Sequence, residues 1–461
     1  MFRTKHTRLA VTLAAATVFG TGVALAAGQV AQAHNDPTPP PPGDPTNAGT
    51  FLAAVLEGRN EVPVPGGPAV GDRDGQAVEI LRIKGNQVSF AIKWKNLGAL
   101  SAGHVHAGAS GTNGAVQVPF FGAGLADPSL TATIGSVTVT DQTLLDNLKN
   151  NPGSFYANLH TTEFPGGAVR GQLHKVTHPV DLTAVLRGGP LSALLGGDQE
   201  VPVPGGPAVG DPDGQATAFV GARDGKLDYS FTWSGIGAPT NGHVHEGTVG
   251  TNGPVAVGLF AAPGGLPASV SGVAGEVKGV KPDLLHRIAN RPNDFYANLH
   301  TAQFPGGAVR GQLFRTGRTA GDPFAQSSFV ASVVTGEQIY ACTRQPDGGF
   351  AFTQHNVSAT LQFGIAHSFV KDDAGPPQWV ARDHSAVTGK LLAKTANGTG
   401  NIAELDLDAT QSGASTGLLA NTVEILRLNT IGGVAPAGAC DPYTTPIAKV
   451  PYQADYLFIA R

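Results

Sequence analysis

The chain repeats itself. Glu61-Val62-Pro63-Val64-Pro65-Gly66-Gly67-Pro68-Ala69-Val70-Gly71-Asp72 recurs letter for letter from Glu200 to Asp211. Trp94, His104 and His106 recur as Trp233, His243 and His245, 139 residues on. Phe-Tyr-Ala-Asn-Leu-His-Thr at 155–161 returns at 295–301, and Phe-Pro-Gly-Gly-Ala-Val-Arg-Gly-Gln-Leu at 164–173 returns at 304–313, now 140 residues on. One inserted residue therefore separates two copies of about 125 residues, a period far too long for a solenoid. Each copy is large enough to bury a core of its own. The expectation is two tandem domains, at 51–175 and 182–315.

Gly 63 and Pro 34 supply roughly a fifth of the 461 residues, and charged residues only 14%, a turn-rich composition that disfavours helical bundles. Residues 78–83 and 88–94 alternate apolar with polar around Gly85-Asn86, which predicts a hairpin, and 131–139 alternate again. One helix is expected at 141–149, where Leu144, Leu145 and Leu148 share a face, with a counterpart at 282–288; Pro152 and Pro292 close them. Two short strands follow, at 156–161 and 168–173. The fold class is all-β: two tandem antiparallel β-sandwich or barrel domains, each with one short helix, plus a third mainly-β domain with one disulfide.

That third domain, 329–461, matches neither repeat and follows a polar linker at 316–328. Alternation at 359–363, 423–428 and 452–458 predicts strands. It holds both cysteines of the chain, Cys342 and Cys440, which in an exported protein pair with each other. Such a bridge closes a loop of about 98 residues and contributes roughly 4 kcal/mol. Trp94, Trp233 and Trp379 read as one core anchor per domain, and His367 and His384 as polar fillers.

Arg3, Lys5 and Arg8 precede an apolar run from Leu9 to about Val30, and Ala31-Gln32-Ala33 offers a signal-peptidase site. Residues 1–33 read as a Sec-type signal peptide cleaved after Ala33, with a Pro-rich linker at 34–50 and a secreted mature chain. No later apolar stretch reaches the length that spans a bilayer as a helix, so no membrane span is expected in the mature chain. A net charge of −4 without any Lys/Arg run argues against nucleic acid as a partner.

Six histidines occupy matching positions. His104 and His106, like His243 and His245, stand at i and i+2, on one face of a strand. His160, and likewise His300, ends a neighbouring strand. Two imidazoles on one strand and a third from another is a way of holding zinc or copper with an open position. Side-chain nitrogens within about 4.5 Å of one another would favour that reading. The competing reading is a structural polar network in which Asn158, Arg170, Asn298 and Arg310 complete the hydrogen bonding. Glu163 offers a fourth ligand in one copy, but Gln303 replaces it in the other. Asp72, Asp74, Asp211 and Asp213 read as turn residues. No nucleophile elbow, phosphate loop or dinucleotide fingerprint is present, and no catalytic residue is singled out.

The ordered motifs Glu61-Val62-Pro63, Gly103-His104-Val105-His106, Phe155-Tyr156-Ala157-Asn158-Leu159-His160-Thr161 and the 164–173 run, present twice, resemble the chordin-type (CHRD) domain. That resemblance implies an extracellular β-rich module, found in animal antagonists of bone morphogenetic proteins and in bacterial secreted proteins, and brings no catalytic residues. The third domain resembles an uncharacterised secreted family of fungi and bacteria. It does so through the 336–342 run from Gly336 to Cys342, Pro377-Gln378-Trp379, Ile425-Leu426-Arg427, Thr430-Ile431-Gly432-Gly433, Cys440 and Val450-Pro451-Tyr452. Two functions stay open. One is a secreted, non-enzymatic binding protein whose modules meet an extracellular protein or a cell-wall ligand. The other is a zinc or copper protein with one three-His site per repeat, redox or hydrolytic in use.

Overall fold

A computed structural model describes residues 48–315 and 328–460, apart from 123, 126, 187, 224 and 374. The expected signal peptide, its cleavage site, the first linker as far as residue 47 and the second linker up to residue 327 lie outside the described residues. All described residues fall in one compact unit. Among them no helix is long and apolar enough to cross a membrane.

The first repeat runs β1 (Thr50–Glu57), β2 (Gln76–Lys84), β3 (Gln87–Lys95), β4 (Leu100–Ala107), β5 (Val116–Phe121), β6 (Leu130–Thr138), α1 (Gln142–Asn150), β7 (Phe155–Thr161), β8 (Val169–Gln172) and β9 (His174–Val176). One antiparallel layer has the order β6-β3-β2-β1 and the other β5-β4-β7-β8. The layers join where β1 meets β8 and β9. The β2–β3 hairpin turns at Gly85, whose φ of +60° is a conformation that suits glycine. Asp141 caps α1 by accepting from the Leu144 amide, and Leu145 and Leu148 bury its apolar face. β1 is apolar from Phe51 to Leu56 because both of its faces are covered. Leu52, Ala54 and Leu56 enter the sandwich, while Phe51, Ala53 and Val55 enter a second cluster on the other side.

The second repeat reproduces this plan with β10 (Leu191–Gly196), β11 (Gln215–Arg223), β12 (Lys226–Ser234), β13 (Pro239–Glu246), β14 (Val255–Ala261), β15 (Val270–Lys278), α2 (Pro282–Asn290), β16 (Phe295–Thr301), β17 (Val309–Gln312) and β18 (Phe314–Arg315). The copies do not stand apart. β6 pairs antiparallel with β15, its own counterpart. Thr133 faces Val273, and the flanking pairs Ala132–Ala274 and Ile134–Gly272 exchange under a local two-fold axis. The edge strand that each copy would expose is thereby covered by the other. Val185 and Leu186 of the connecting segment pack over the seam against Ala91, Ala132 and Ile134.

The C-terminal domain is a closed barrel of eight antiparallel strands: β19 (Phe329–Arg344), β20 (Phe350–Leu361), β21 (Ala366–Phe369), β22 (Pro377–Val380), β23 (Ala386–Thr395), β24 (Glu404–Gln411), β25 (Thr422–Gly432) and β26 (Ile447–Ala460), with β26 closing on β19. Cys342 and Cys440 form the expected disulfide. The mainly antiparallel β architecture with two short α-helices agrees with the sequence reading. Along β25 and β26 inward Ile425, Tyr452, Tyr456 and Phe458 join the barrel's own core cluster, while outward Leu426, Leu428, Leu457 and Ile459 pack on Phe51, Val55, Ile80 and Val176 of the first repeat. Polar contacts frame that joint: Asn60 donates to Asn429 Oδ1 at 3.0 Å, and the backbone amides of Thr177 and His178 both donate to the fully buried Glu424.

Two local expectations need correction. Trp94 and Trp379 are buried anchors, but Trp233 is only partly buried against the core rim. The strand expected at 359–363 stops at Leu361, because the chain turns through Phe363 at φ +63° and leaves that ring exposed.

Candidate functional site

Strand alternation sends Val105, Ala157 and Leu159 into the sandwich core and therefore His104 and His106 of β4, with Tyr156, Asn158 and His160 of β7, to its outer face. The register sets His104 opposite Asn158 and His106 opposite Tyr156, with His160 one pair further along, opposite Ala102. The three imidazoles converge: one nitrogen from each lies within 4.8 Å of one from the other two, and the same holds for His243, His245 and His300. Glu163 is exposed and is not part of the cluster.

The proton positions follow from the acceptors. His106 Nδ1 lies 3.0 Å from the Gly114 carbonyl and His160 Nδ1 3.1 Å from the Pro165 carbonyl. A carbonyl can only accept, so both rings carry their proton on Nδ1 and present a lone pair at Nε2. Those two Nε2 atoms, with His104 Nδ1, are buried and have no hydrogen-bond partner. In the second repeat His245 Nδ1 donates to Gly253 and His300 Nδ1 to Pro305, each at 3.0 Å. His245 Nε2 is again without a partner, but here His243 Nδ1 donates to the His300 Nε2 lone pair at 3.0 Å. Burial, then the neighbouring imidazoles, lower His104 and His243 to about 4. Burial also lowers the other four, so all six imidazoles are neutral at neutral pH.

A second set of residues holds this geometry. The Arg170 guanidinium lies 3.5 Å from the centre of the Tyr156 ring, and His106 stacks on the same ring with centroids 4.9 Å apart. Arg170 donates to the carbonyls of Ala109 and Thr112 and to Asn113 Oδ1, pinning the loop that carries Gly114. Gly114 has to be glycine, since a Cβ there would lie 1.7 Å from the Ala107 carbonyl oxygen. Arg170 thus fixes the loop, and the loop carbonyl fixes the His106 tautomer. Asn158 donates to Glu61 at 3.4 Å and Asn298 to Glu200 at 2.9 Å. The polar network therefore exists, but the described hydrogen bonds run beside the histidines and reach them only through backbone carbonyls. Arg310, Tyr296 and Asn252 repeat the arrangement.

Glu61 and Glu200 belong to this network and were not singled out from the sequence. Burial lifts both carboxyls to about 7, against the opposing pull of Arg170 and Arg310. Their signal was available: each opens the twelve-residue motif that recurs without change.

Family comparison matches the CHRD domain at residues 52–173 and again at 191–313. It matches a protein of unknown function (DUF3455) at 354–460. No curated protein and no solved structure matches the chain.

Proposed function

Because the chain belongs to the CHRD domain family through both of its repeats, we propose that it is an exported binding protein in which each repeat holds one zinc or copper ion on three histidines. His104, His106 and His160 are the ligands in the first repeat and His243, His245 and His300 in the second. One observation carries this reading: in the first repeat three buried imidazole nitrogens converge without a hydrogen-bond partner, while backbone carbonyls hold the opposite ring nitrogens of His106 and His160. Buried polar atoms ordinarily find partners, and a carbonyl on the far nitrogen is the usual way of orienting a histidine ligand. Tetrahedral bonds of 2.0–2.1 Å place ligand nitrogens about 3.3 Å apart, so small ring rotations would close the cluster on an ion.

Export rests on residues 1–33, and N-terminal sequencing of the mature protein tests it through a start at His34. The loops pinned by Arg170 and Arg310 border the two clusters, and we place contact with an extracellular protein or cell-wall ligand there. Pre-ordered loops lower the entropic cost of binding. A redox or hydrolytic use of the open metal position is the second reading, and activity screens of metal-loaded protein test it.

The first experiment is metal analysis of protein purified without a His-tag or chelator, beside a His104→Ala/His243→Ala variant. The expected result is about two equivalents in the parent and near-complete loss in the variant. Metal-free parent protein that also fails to take up added zinc or copper would assign the histidines to structure.

A further inference from the structure

The barrel interior is not filled. Inward side chains leave a cavity of about 620 Å³, within the range that takes small ligands, and barrel mouths are a preferred place for such sites. Its wall is aromatic. Trp379 lies flat on His367 with ring centroids 4.4 Å apart, and Tyr456 meets both rings edge-on. Gly389 makes room for the indole, since a Cβ there would come within 3.0 Å of it. The depth gradient is clear from exposure: Trp379, Val357 and Tyr456 at the base are buried, whereas Leu391, Lys394 and Val434 at the rim are exposed.

The polar groups lining this cavity that lack partners are donors. Trp379 is 1% exposed and its Nε1–H has no acceptor. Gln338 is 4% exposed; its Oε1 accepts from Gln354 Nε2 at 3.1 Å, and its own Nε2 has no partner. Arg427 directs Nε and Nη2 to the single carbonyl of Ala403 and forms no ion pair among the described residues. An apolar wall that shares its lining with two partnerless donors and a guanidinium suits a flat hydrophobic body that ends in an anionic acceptor.

We propose that the C-terminal barrel binds a small aromatic carboxylate, its ring against Trp379, Tyr456 and Phe369 and its carboxylate among Gln338, Trp379 and Arg427. This site is separate from the histidine clusters and stands independently of the metal reading. The test is titration of 2-naphthoic acid into the full chain, followed by calorimetry and tryptophan fluorescence. One equivalent should bind saturably, and the neutral 2-acetylnaphthalene should bind about ten-fold or more weakly. Arg427→Met should weaken the acid by about the same factor, near-UV circular dichroism showing whether the barrel is intact. Leu391→Trp, at an exposed rim position, should block entry without touching the core. His104→Ala/His243→Ala should leave binding unchanged. No saturable binding up to about 1 mM, or affinity that neither Arg427→Met nor Leu391→Trp alters, would overturn the proposal.

Discussion

In the repeats the buried ring atoms without partners are imidazole nitrogens, three converging from two strands in the first copy, where His106 and His160 present lone pairs, and His245 Nε2 in the second; in the barrel the donors Trp379 Nε1 and Gln338 Nε2 stand without partners beside Arg427. Both regions are antiparallel β, both place the group on alternating strand positions, and both spend aromatic rings on framing it. The sign of the unpaired atom is what separates them. Lone pairs without protons call for a cation, and protons without lone pairs call for an anion or a carbonyl. The two regions also differ in how they hold together. The repeats join through a two-fold seam and share a continuous hydrophobic core without any disulfide, whereas the barrel closes on itself and is bridged by Cys342–Cys440.

Removing the bridge should separate the two regions most forcefully. Cys342→Ser with Cys440→Ser should cost the barrel about 2–5 kcal/mol, visible in calorimetry as an earlier barrel transition, while the metal content of the repeats stays the same. A transition of the repeats that moves with it would show that the Leu426–Phe51 joint couples the regions. A smaller effect is expected from Gly114→Ala. Its Cβ would collide with the Ala107 carbonyl and should cost about 1–3 kcal/mol. The displaced Gly114 carbonyl would release His106, so metal content should fall from about two equivalents to about one, with the second repeat unaffected.

The smallest effect concerns the joint itself. Burial, then the Asp455 carboxylate, raise Glu57 to about 8, and burial raises Glu404 to about 7. A carboxyl whose folded pKa lies above its unfolded value binds more protons in the folded state. Its stabilisation is complete below about 4.5 and is lost as pH rises through 7 to 8. Above about pH 6.5, where the lowered histidines are neutral in both states, the melting temperature should therefore fall by a few degrees up to about pH 8. Glu57→Gln should flatten that slope, as thermal shift across a pH series would register.

Duplication made the histidines legible, because six of them kept their place in both copies, and Gly85-Asn86 and the Leu144/Leu145/Leu148 pattern located the hairpin and the helix. The seam was not legible. Residues 131–139 alternate as any half-buried strand does, and nothing local says that the edge partner is the same strand from the other copy. The route from Arg170 through the 109–114 loop to His106 Nδ1 also needs three dimensions, since it joins residues on β8, a loop and β4. In the barrel no repeat marks the chemistry. His367 reads alone as a polar filler, and only the fold brings it against Trp379 and close to Gln338 and Arg427.

The central claim is that the unpaired imidazole nitrogens belong to metal ions. Crystals of untagged protein, measured on either side of the zinc and copper absorption edges, test it most directly. The account predicts two anomalous peaks, one per repeat, each about 2.0–2.1 Å from a nitrogen of His104, His106 and His160 or of their counterparts. Ordered waters donating to those nitrogens, with no anomalous signal after soaking in zinc or copper, would contradict it.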